Sequence, residues 1–280
     1  MIIFKHIKDI QAYLENEQGK GLVTGFVPTM GALHQGHISL IEKSKAESGL
    51  TISSIFVNPT QFNDPKDFEK YPITVDKDIY LLEKAGCDVL FLPSVAEMYP
   101  DGLKSPKKYQ LGYLETVLDG AYRPGHFQGV CQVVEKLLNI VRPNKLILGQ
   151  KDYQQCLVIK KLVELMGIDT TVVIAATQRE ADGLAMSSRN TRLTESARTK
   201  APLIQQTLQL IKKVIKPGNV KDLKQKAINI LTAGGFKVDY VEIATATALE
   251  LVDEWDGTTP LVALAAAFID DVRLIDNLLL

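Results

Sequence analysis

Short apolar runs alternate with amphipathic stretches along the first two-thirds of this 280-residue chain. The apolar runs are rich in β-branched residues and end at turn residues, as strands do, whereas the amphipathic stretches have the 3.6-residue period of helices. The predicted strands are 21–29, 50–59, 87–93, 145–149 and 170–177, and the predicted helices are 36–48, 75–86, 130–143 and 153–167. Such alternation indicates βαβ units, in which a parallel sheet is covered by helices on both faces.

The pattern changes after about residue 190. Two long amphipathic stretches predict helices at 195–216 and 220–235, and apolar runs predict strands at 237–244, 260–269 and 271–278. The chain therefore predicts an α/β fold with two parts. One is a Rossmann-like, doubly wound parallel sheet at 1–183, and the other is a smaller C-terminal α/β domain at 184–280.

Composition narrows the partners that this chain is expected to bind. A net charge of −1, with 23% charged and 46% hydrophobic residues, gives no reason to expect nucleic acid or an anionic membrane. The N-terminal residues MIIFKHIKDI lack the features of a signal peptide. The apolar run at 261–269 is about half of the ~20 residues that a membrane span requires.

The cysteines indicate a reducing compartment. Cys87, Cys131 and Cys156 are odd in number, widely spaced and free of any C-x-x-C pair, so they predict neither a disulfide framework nor a cysteine zinc site. Together with the N-terminus, this leads us to expect a cytoplasmic protein.

Four polar clusters follow predicted strands of the first domain. They are PTMGALHQGH, NPTQF, GQKDYQQ and QREADGLAMSSRN. The carboxyl ends of parallel strands meet at one edge of a sheet, and ligands of open α/β sheets bind there. The clusters therefore predict one ligand site, although each cluster alone also fits a polar turn or linker.

The first cluster is suited to a phosphate. His34 and His37 flank Gly36 at the start of a predicted helix, where unpaired N–H groups and the helix dipole favour an anion. Met30 and Gly31 allow a close backbone approach. The alternative is that each histidine is an ordinary hydrogen-bonded residue. A zinc site is not expected, because H-x-x-H supplies only two ligands.

The third and fourth clusters add groups that suit a nucleotide. Lys151 is a point charge for a phosphate, and Asp152 is a hard oxygen ligand for Mg²⁺, unless it merely caps the next helix. The amides of Gln154 and Gln155 can hold a hydroxyl or a carboxylate. MSSRN contributes two hydroxyls and a guanidinium.

H-x-G-H after a first strand, followed late in the domain by MSSRN, resembles the HxGH nucleotidyltransferase superfamily, which includes the class I aminoacyl-tRNA synthetases. Five blocks in order narrow the resemblance: PTMGALHQGH, FVNPTQF, YRPGHFQGV, GQKDYQQ and READGLAMSSRN. This set is similar to the pantothenate synthetase (pantoate–β-alanine ligase) family over essentially the whole chain.

The resemblance implies an ATP-dependent ligase of pantothenate and coenzyme A biosynthesis. (R)-Pantoate would react with ATP to give an enzyme-bound pantoyl adenylate and pyrophosphate, and β-alanine would then release pantothenate and AMP. The family likeness also implies a homodimer, and a C-terminal domain that serves as a lid.

The resemblance assigns roles to individual residues. His37 would be catalytic, assisted by His34. Gln61 and Gln155 would bind pantoate, with Gln61 also near β-alanine, and Asp152 would hold Mg²⁺, with Asp78 as a second candidate. The ATP site would comprise Met30, Gly31, Ala32, Leu33, His34, Gln35, Gly36, His37, Gly149, Gln150, Lys151, Asp152, Gln178, Met186, Ser187, Ser188 and Arg189.

Some positions depart from the family pattern or carry no assigned role. Gln150 stands where the family often has an acidic or basic residue, and Ile73 replaces a common arginine. Gln178 is expected to contact ATP through its backbone. Arg123 and His126 lie in the YRPGHFQGV block without an assigned role.

Two alternatives remain on the sequence alone. H-x-G-H by itself also permits a nucleotidyltransferase that leaves the nucleotide on its product, although NPTQF with GQKDYQQ argues against it. The other alternative is a non-catalytic nucleotide-binding module.

Overall fold

The computed structural model describes residues 1–61, 69, 71–103 and 107–280, and the chain divides into two compact units. Unit 1 comprises Met1–Gly149 and Val158–Ala175, and unit 2 comprises Gln150–Leu157 and Ala176–Leu280. The expected domain division at residues 183 and 184 stays a prediction.

Unit 1 contains a six-stranded sheet in which every pair is parallel, with the strand order β1-β4-β3-β2-β5-β6. Its strands are β1 (Ile2–Phe4), β2 (Thr24–Thr29), β3 (Leu50–Ile55), β4 (Val89–Phe91), β5 (Lys145–Gly149) and β6 (Thr171–Ala175). β3 is buried at all six positions, as expected of a strand that is covered on both faces. This architecture confirms the predicted α/β class.

Seven helices connect these strands within the described part of the chain. They are α1 (Ile7–Gly19), α2 (Gln35–Glu47), α3 (Val75–Lys84), α4 (Val95–Met98), α5 (Asp119–Tyr122), α6 (His126–Val141) and α7 (Tyr153–Met166). The sequence predicts α6 from residue 130, but it begins at His126, directly after Gly125 in the left-handed region. A glycine adopts that conformation without a steric penalty, so Gly125 marks the true start.

The core of unit 1 lies where α2 packs on the sheet. Val27, Ile41, Leu90 and Ile147 are all fully buried in one cluster. Parallel strands need such cover on both faces, which explains their nearly continuous apolar sequences.

Unit 2 contains an antiparallel sheet of order β11-β10-β8 and a two-stranded β7-β9 ribbon. The strands are β7 (Gly218–Asn219), β8 (Lys237–Thr245), β9 (Glu254–Trp255), β10 (Leu261–Ile269) and β11 (Val272–Leu279), and the helices are α8 (Glu195–Lys200), α9 (Leu203–Val214) and α10 (Lys221–Ala233). Small side chains of β10, including Ala263 and Ala265, share a buried cluster with Leu208 and Leu231 of the helices.

The helix predicted at 195–216 is two helices, α8 and α9, separated at Pro202. Proline has no N–H group and its ring crowds the preceding turn, so the hydrogen-bond ladder is interrupted there. Across the residues that the structure describes, no helix combines the length and the apolar character needed to cross a membrane.

Candidate active site

The strand order of unit 1 contains a topological switch between β2 and β5. These two strands are adjacent and parallel, but β2 is followed in the chain by β3 on one side and β5 by β6 on the other. The connections therefore diverge and leave a crevice beyond the carboxyl ends, where ligands of open α/β sheets bind. The PTMGALHQGH cluster leaves β2 there, and Gly149 ends β5 there.

The two histidines of the first cluster lie together at the start of α2. His34 is the N-cap residue, and its Nδ1 atom accepts from the Gly36 N–H at 3.1 Å. The His37 Nδ1 atom accepts from the His34 N–H at 3.3 Å, and the ring centroids are 4.1 Å apart. This reciprocal arrangement is a capping box built from imidazoles, so two backbone N–H groups of the helix start are satisfied.

These bonds also assign the tautomers of both rings. A backbone N–H group can only donate, so each Nδ1 atom must be an acceptor, and the ring hydrogen of the neutral imidazole lies on Nε2. Both histidines thus carry an Nε2–H donor at a helix N-terminus, where the dipole already favours negative charge.

The loop before His34 is held by a carboxylate that the sequence did not mark for this role. Asp78, in the first turn of α3, is fully buried, and its oxygens accept from Ala32 N–H at 2.9 Å and Leu33 N–H at 2.8 Å. The Thr74 hydroxyl donates to the same carboxylate at 3.1 Å. The only sequence signal was an acidic residue in the first turn of a helix, which is common.

Gln61 follows β3 in a short 3₁₀ turn and approaches the first cluster. Its Nε2 atom lies 2.6 Å from the Met30 Sδ atom. Its amide is therefore next to the loop that leads to His34. Phe62, the last residue of the NPTQF block, lies outside the described residues.

The structure gives His126 and Arg123 a position beside Gln61. The Arg123 guanidinium contacts His126 Nε2 at 3.0 Å, and His126 Nδ1 contacts the Gln61 carbonyl oxygen at 2.9 Å. A guanidinium only donates and a carbonyl only accepts, so His126 accepts at Nε2 and donates from Nδ1. Sequence reasoning assigned these residues no role, because their partner lies more than sixty positions away.

In unit 2, the Gln150–Asp152 turn is fixed by β11. The Asn277 side-chain amide donates to the carbonyl oxygens of Gln150 and Lys151, both at 2.9 Å, and accepts from Gln150 Nε2 at 3.1 Å. The side-chain amide of Gln150 is thus hydrogen-bonded to the side-chain amide of Asn277. Lys151 Nζ lies 3.6 Å from Asp152 Oδ1, and about half of the Asp152 side chain is exposed.

The QREADGLAMSSRN cluster also lies in unit 2, where an ion pair anchors it. Arg179 makes two hydrogen bonds with the Asp276 carboxylate, at 2.6 and 2.9 Å, and a third with the Gly183 carbonyl. Met186 N–H donates to the Gln178 carbonyl at 3.0 Å, which aligns the two sides of the loop. The Ser187 Oγ atom accepts from the N–H of the second residue beyond it.

The predicted site residues are thus distributed over both units. Those in unit 1 are Met30, Gly31, Ala32, Leu33, His34, Gln35, Gly36, His37, Gln61, Asp78 and Gly149, and those in unit 2 are Gln150, Lys151, Asp152, Gln155, Gln178, Met186, Ser187, Ser188 and Arg189. Their roles stay predictions. Among the described residues, no group of three or more His, Cys, Asp or Glu side chains is arranged to hold a metal ion.

Two of the three cysteines are not activated nucleophiles. All three are buried, and burial raises the pKa of the Cys87 and Cys131 thiols to about 12. The thiolate is the nucleophilic form, so neither of these two residues is suited to covalent catalysis.

Comparison with known proteins places the whole chain in one group. A family model described as pantoate-beta-alanine ligase matches residues 2–279. Pantothenate synthetase from Cytophaga hutchinsonii is 44% identical over 283 residues, covering 100% of this chain and 99% of that protein. The crystal structure of pantothenate synthetase from Thermus thermophilus is 38% identical, has a TM-score of 0.92 and covers 99% of both chains.

A further solved structure carries ligands. It is pantoate-beta-alanine ligase from Francisella tularensis complexed with beta-gamma ATP and beta-alanine. That protein is 41% identical to this chain, has a TM-score of 0.81, and the match covers 100% of this chain and 97% of that one.

Proposed function

Since this chain belongs to the pantoate–β-alanine ligase family and is a ligase of pantothenate biosynthesis, we propose that it condenses (R)-pantoate with β-alanine through an enzyme-bound pantoyl adenylate. A carboxylate oxygen of pantoate attacks the α-phosphorus of ATP, and the bond to the bridging oxygen breaks to release pyrophosphate. The β-alanine amine then attacks the acyl carbon, the bond to the phosphate oxygen of AMP breaks, and the amine loses a proton.

The observation that carries this proposal is the imidazole pair at the start of α2. His34 and His37 each have a hydrogen on Nε2, at a helix N-terminus beyond the sheet's switch point. Donors aimed at phosphate oxygens stabilise the charge that builds up as pyrophosphate departs. We assign that role to His37, with His34 assisting at the same phosphates.

Pantoate is assigned to Gln61 and Gln155. An amide can accept from a hydroxyl and donate to a carboxylate, and pantoate carries both groups. The Gln61 backbone is held by His126, and its side chain lies beside Met30, which supports a fixed amide next to the first cluster. Orientation of the two reactants supplies much of the rate in such a reaction, because no covalent enzyme intermediate is required.

The remaining ATP contacts follow from the family resemblance. Lys151 suits a phosphate as a point charge, and the exposed Asp152 carboxylate fits Mg²⁺, which usually binds through one or two carboxylates together with substrate phosphates. When bound, Mg²⁺ would neutralise charge on the ATP phosphates. Ser187, Ser188 and Arg189 supply hydroxyl and guanidinium donors for the same phosphates.

One assay tests this function. The purified protein receives ATP, Mg²⁺, pantoate and β-alanine, and AMP, pyrophosphate and pantothenate are measured. We expect AMP and pantothenate in equal amounts, and pyrophosphate formed with pantoate alone in the first turnover. Product that retains the nucleotide would indicate a nucleotidyltransferase instead, and ATP binding without any turnover would indicate a binding module. AMP release that does not require both substrates would contradict the proposal.

A further inference from the structure

Asp78 is a fully buried carboxylate for which the proposed chemistry has no direct use. It lies 44 residues after His34 in the chain, yet it accepts from two consecutive N–H groups of the loop that leads into His34. Burying a carboxylate costs free energy unless hydrogen bonds replace its hydration. Here three donors do so, and two of them belong to the loop.

The loop has a conformation that such a carboxylate can stabilise. Gly31 has φ 82 and Ala32 has φ 51, and a residue with a side chain rarely adopts that region. A Cβ atom on Gly31 would lie 3.0 Å from Asp78 Oδ2, so the carboxylate fits against the bare glycine backbone. Two successive left-handed residues turn consecutive N–H groups toward one point, and Asp78 occupies that point.

The anchored loop determines where the imidazoles lie. Leu33, whose N–H group donates to Asp78, directly precedes His34, and the His34 backbone N–H donates to His37 Nδ1. Two hydrogen bonds, joined by the peptide link between Leu33 and His34, therefore connect the Asp78 carboxylate to the ring of His37. A displacement at Leu33 would move the N-cap and the ring of His37 together.

We propose that Asp78 is a positioning residue for His34 and His37, which it holds in register by anchoring the loop at Ala32 and Leu33. The chemical role of the two histidines rests on the proposed function, whereas the hydrogen bonds that position them do not. The positioning role is an alternative to the expectation that Asp78 binds Mg²⁺, since three of the roughly four acceptor sites of the carboxylate are already used by donors within the protein.

The test compares two isosteric variants in the same helix turn. Asp78→Asn keeps the shape but turns one acceptor into a donor, so an amide N–H must face a backbone N–H group. Asp76→Asn is the matched control, because Asp76 lies in the same first turn of α3 but is exposed. We expect Asp78→Asn to lower kcat by about 10- to 100-fold, as misplaced catalytic groups do. The control should stay within about twofold of the parent, as surface substitutions usually do.

Two further measurements separate positioning from metal binding and from general damage. The KM for β-alanine and the half-saturating Mg²⁺ concentration should be the same in Asp78→Asn as in the parent. In ¹⁵N spectra of the four histidines, the Nδ1 and Nε2 resonances of His34 and His37 should move, whereas those of His6 should not. The spectra need no turnover, so they remain informative if the proposed function is wrong.

The proposal fails if kcat and the His34 and His37 resonances are unchanged in Asp78→Asn, or if its main effect is a several-fold rise in the Mg²⁺ requirement. If that variant does not fold, Thr74→Val takes its place. It removes one donor to the carboxylate and leaves the loop bonds, so we expect the same resonances to shift and kcat to fall by about threefold. Unchanged spectra and kcat in a folded Thr74→Val would then overturn the proposal.

Discussion

At the level of single residues, the backbone determines the chemistry that the side chains can offer. The imidazoles of His34 and His37 accept hydrogen bonds from backbone N–H groups at Nδ1. The ring hydrogen of each imidazole therefore lies on Nε2. His126 has the opposite tautomer, because an arginine donates to its Nε2 atom and a carbonyl accepts from Nδ1. The same side chain therefore serves as a candidate phosphate donor in one place and as a backbone support in another.

Replacing His37 tests the first of these roles. We expect His37→Gln to lower the rate of pyrophosphate release by about 100- to 1,000-fold, as the loss of one transition-state donor does in other enzymes. Binding of a non-hydrolysable ATP analogue, measured by calorimetry, should change little, because the helix N-terminus remains.

His6→Gln is the control for that measurement. The His6 side chain is 69% exposed, and its Nδ1 atom lies 3.1 Å from the Glu97 carboxylate on the surface of unit 1. Its substitution should leave turnover unchanged. Near-normal turnover in His37→Gln would contradict the assignment of His37.

At the level of elements, close packing of α6 on the 3₁₀ turn Pro59–Gln61 sets the position of Gln61. Gly129 of α6 is the contact, since a Cβ atom there would lie 2.3 Å from the Thr60 carbonyl oxygen and 3.0 Å from Gln61 Cα. These are backbone atoms, so neither can rotate away. The glycine allows the helix and the turn to meet.

Gly129→Ala should therefore have two effects. We expect it to lower the free energy of unfolding by about 1–3 kcal/mol, as overpacking does, and to raise the KM for pantoate because the Gln61 backbone must move. Denaturant unfolding and steady-state kinetics measure the two effects. Gly19→Ala, at the end of α1 with no atom within 4 Å of the new methyl group, is the matched control. It should leave stability unchanged or raise it by less than the roughly 0.5–1 kcal/mol that the same change gives in the middle of a helix. Equal behaviour of the two variants would refute the close contact between α6 and the turn.

The sequence predicted elements well and their long-range partners poorly. Periodicity placed five of the six strands of the parallel sheet, all three strands of the antiparallel sheet and most of the long helices, because burial on one face leaves a repeating pattern. It missed β1 and α1 at the start of the chain and the short β7-β9 ribbon. It joined α8 and α9 across Pro202, since the apolar period continues through the break. It could not identify Asp78 or Asn277 as supports of the candidate site, because neither residue lies near the segment that it holds.

At the level of the whole molecule, unit 2 is built from two separate stretches of chain. Residues 150–157 belong to it, although they lie between two parts of unit 1. Within unit 2, Asn277 binds the turn at Gln150 and Lys151, Tyr153 donates to the Ala246 carbonyl at 2.7 Å, and Arg179 pairs with Asp276. The bonds of Asn277 and Tyr153 tie the early segment to the rest of unit 2, and the ion pair ties Arg179 to β11.

A fragment cut at the predicted boundary tests how far unit 2 depends on those bonds. The 184–280 fragment would lack Gln150, Tyr153 and Arg179, and it would leave the buried Asp276 carboxylate without its guanidinium partner. Breaking a buried ion pair costs about 3–5 kcal/mol, so we expect a poorly folded fragment in circular dichroism and in amide NMR spectra. The full chain under the same conditions is the control. A cooperatively melting 184–280 fragment would show that the segment at 150–157 is dispensable for folding.

Because unit 2 is built from two separate stretches of chain, the first stretch is synthesised well before the residues that it binds. Gln150 precedes its partner Asn277 by 127 residues, so a ribosome that adds about 5–20 residues per second makes the turn roughly 6–25 seconds before its anchor exists. During that interval the Gln150–Asp152 turn lacks its partner Asn277. By contrast β5, which is synthesised just before the turn, can already pair with strands of unit 1. The hydrogen bonds that hold the turn at Gln150 and Lys151 can therefore form only after β11 has been translated.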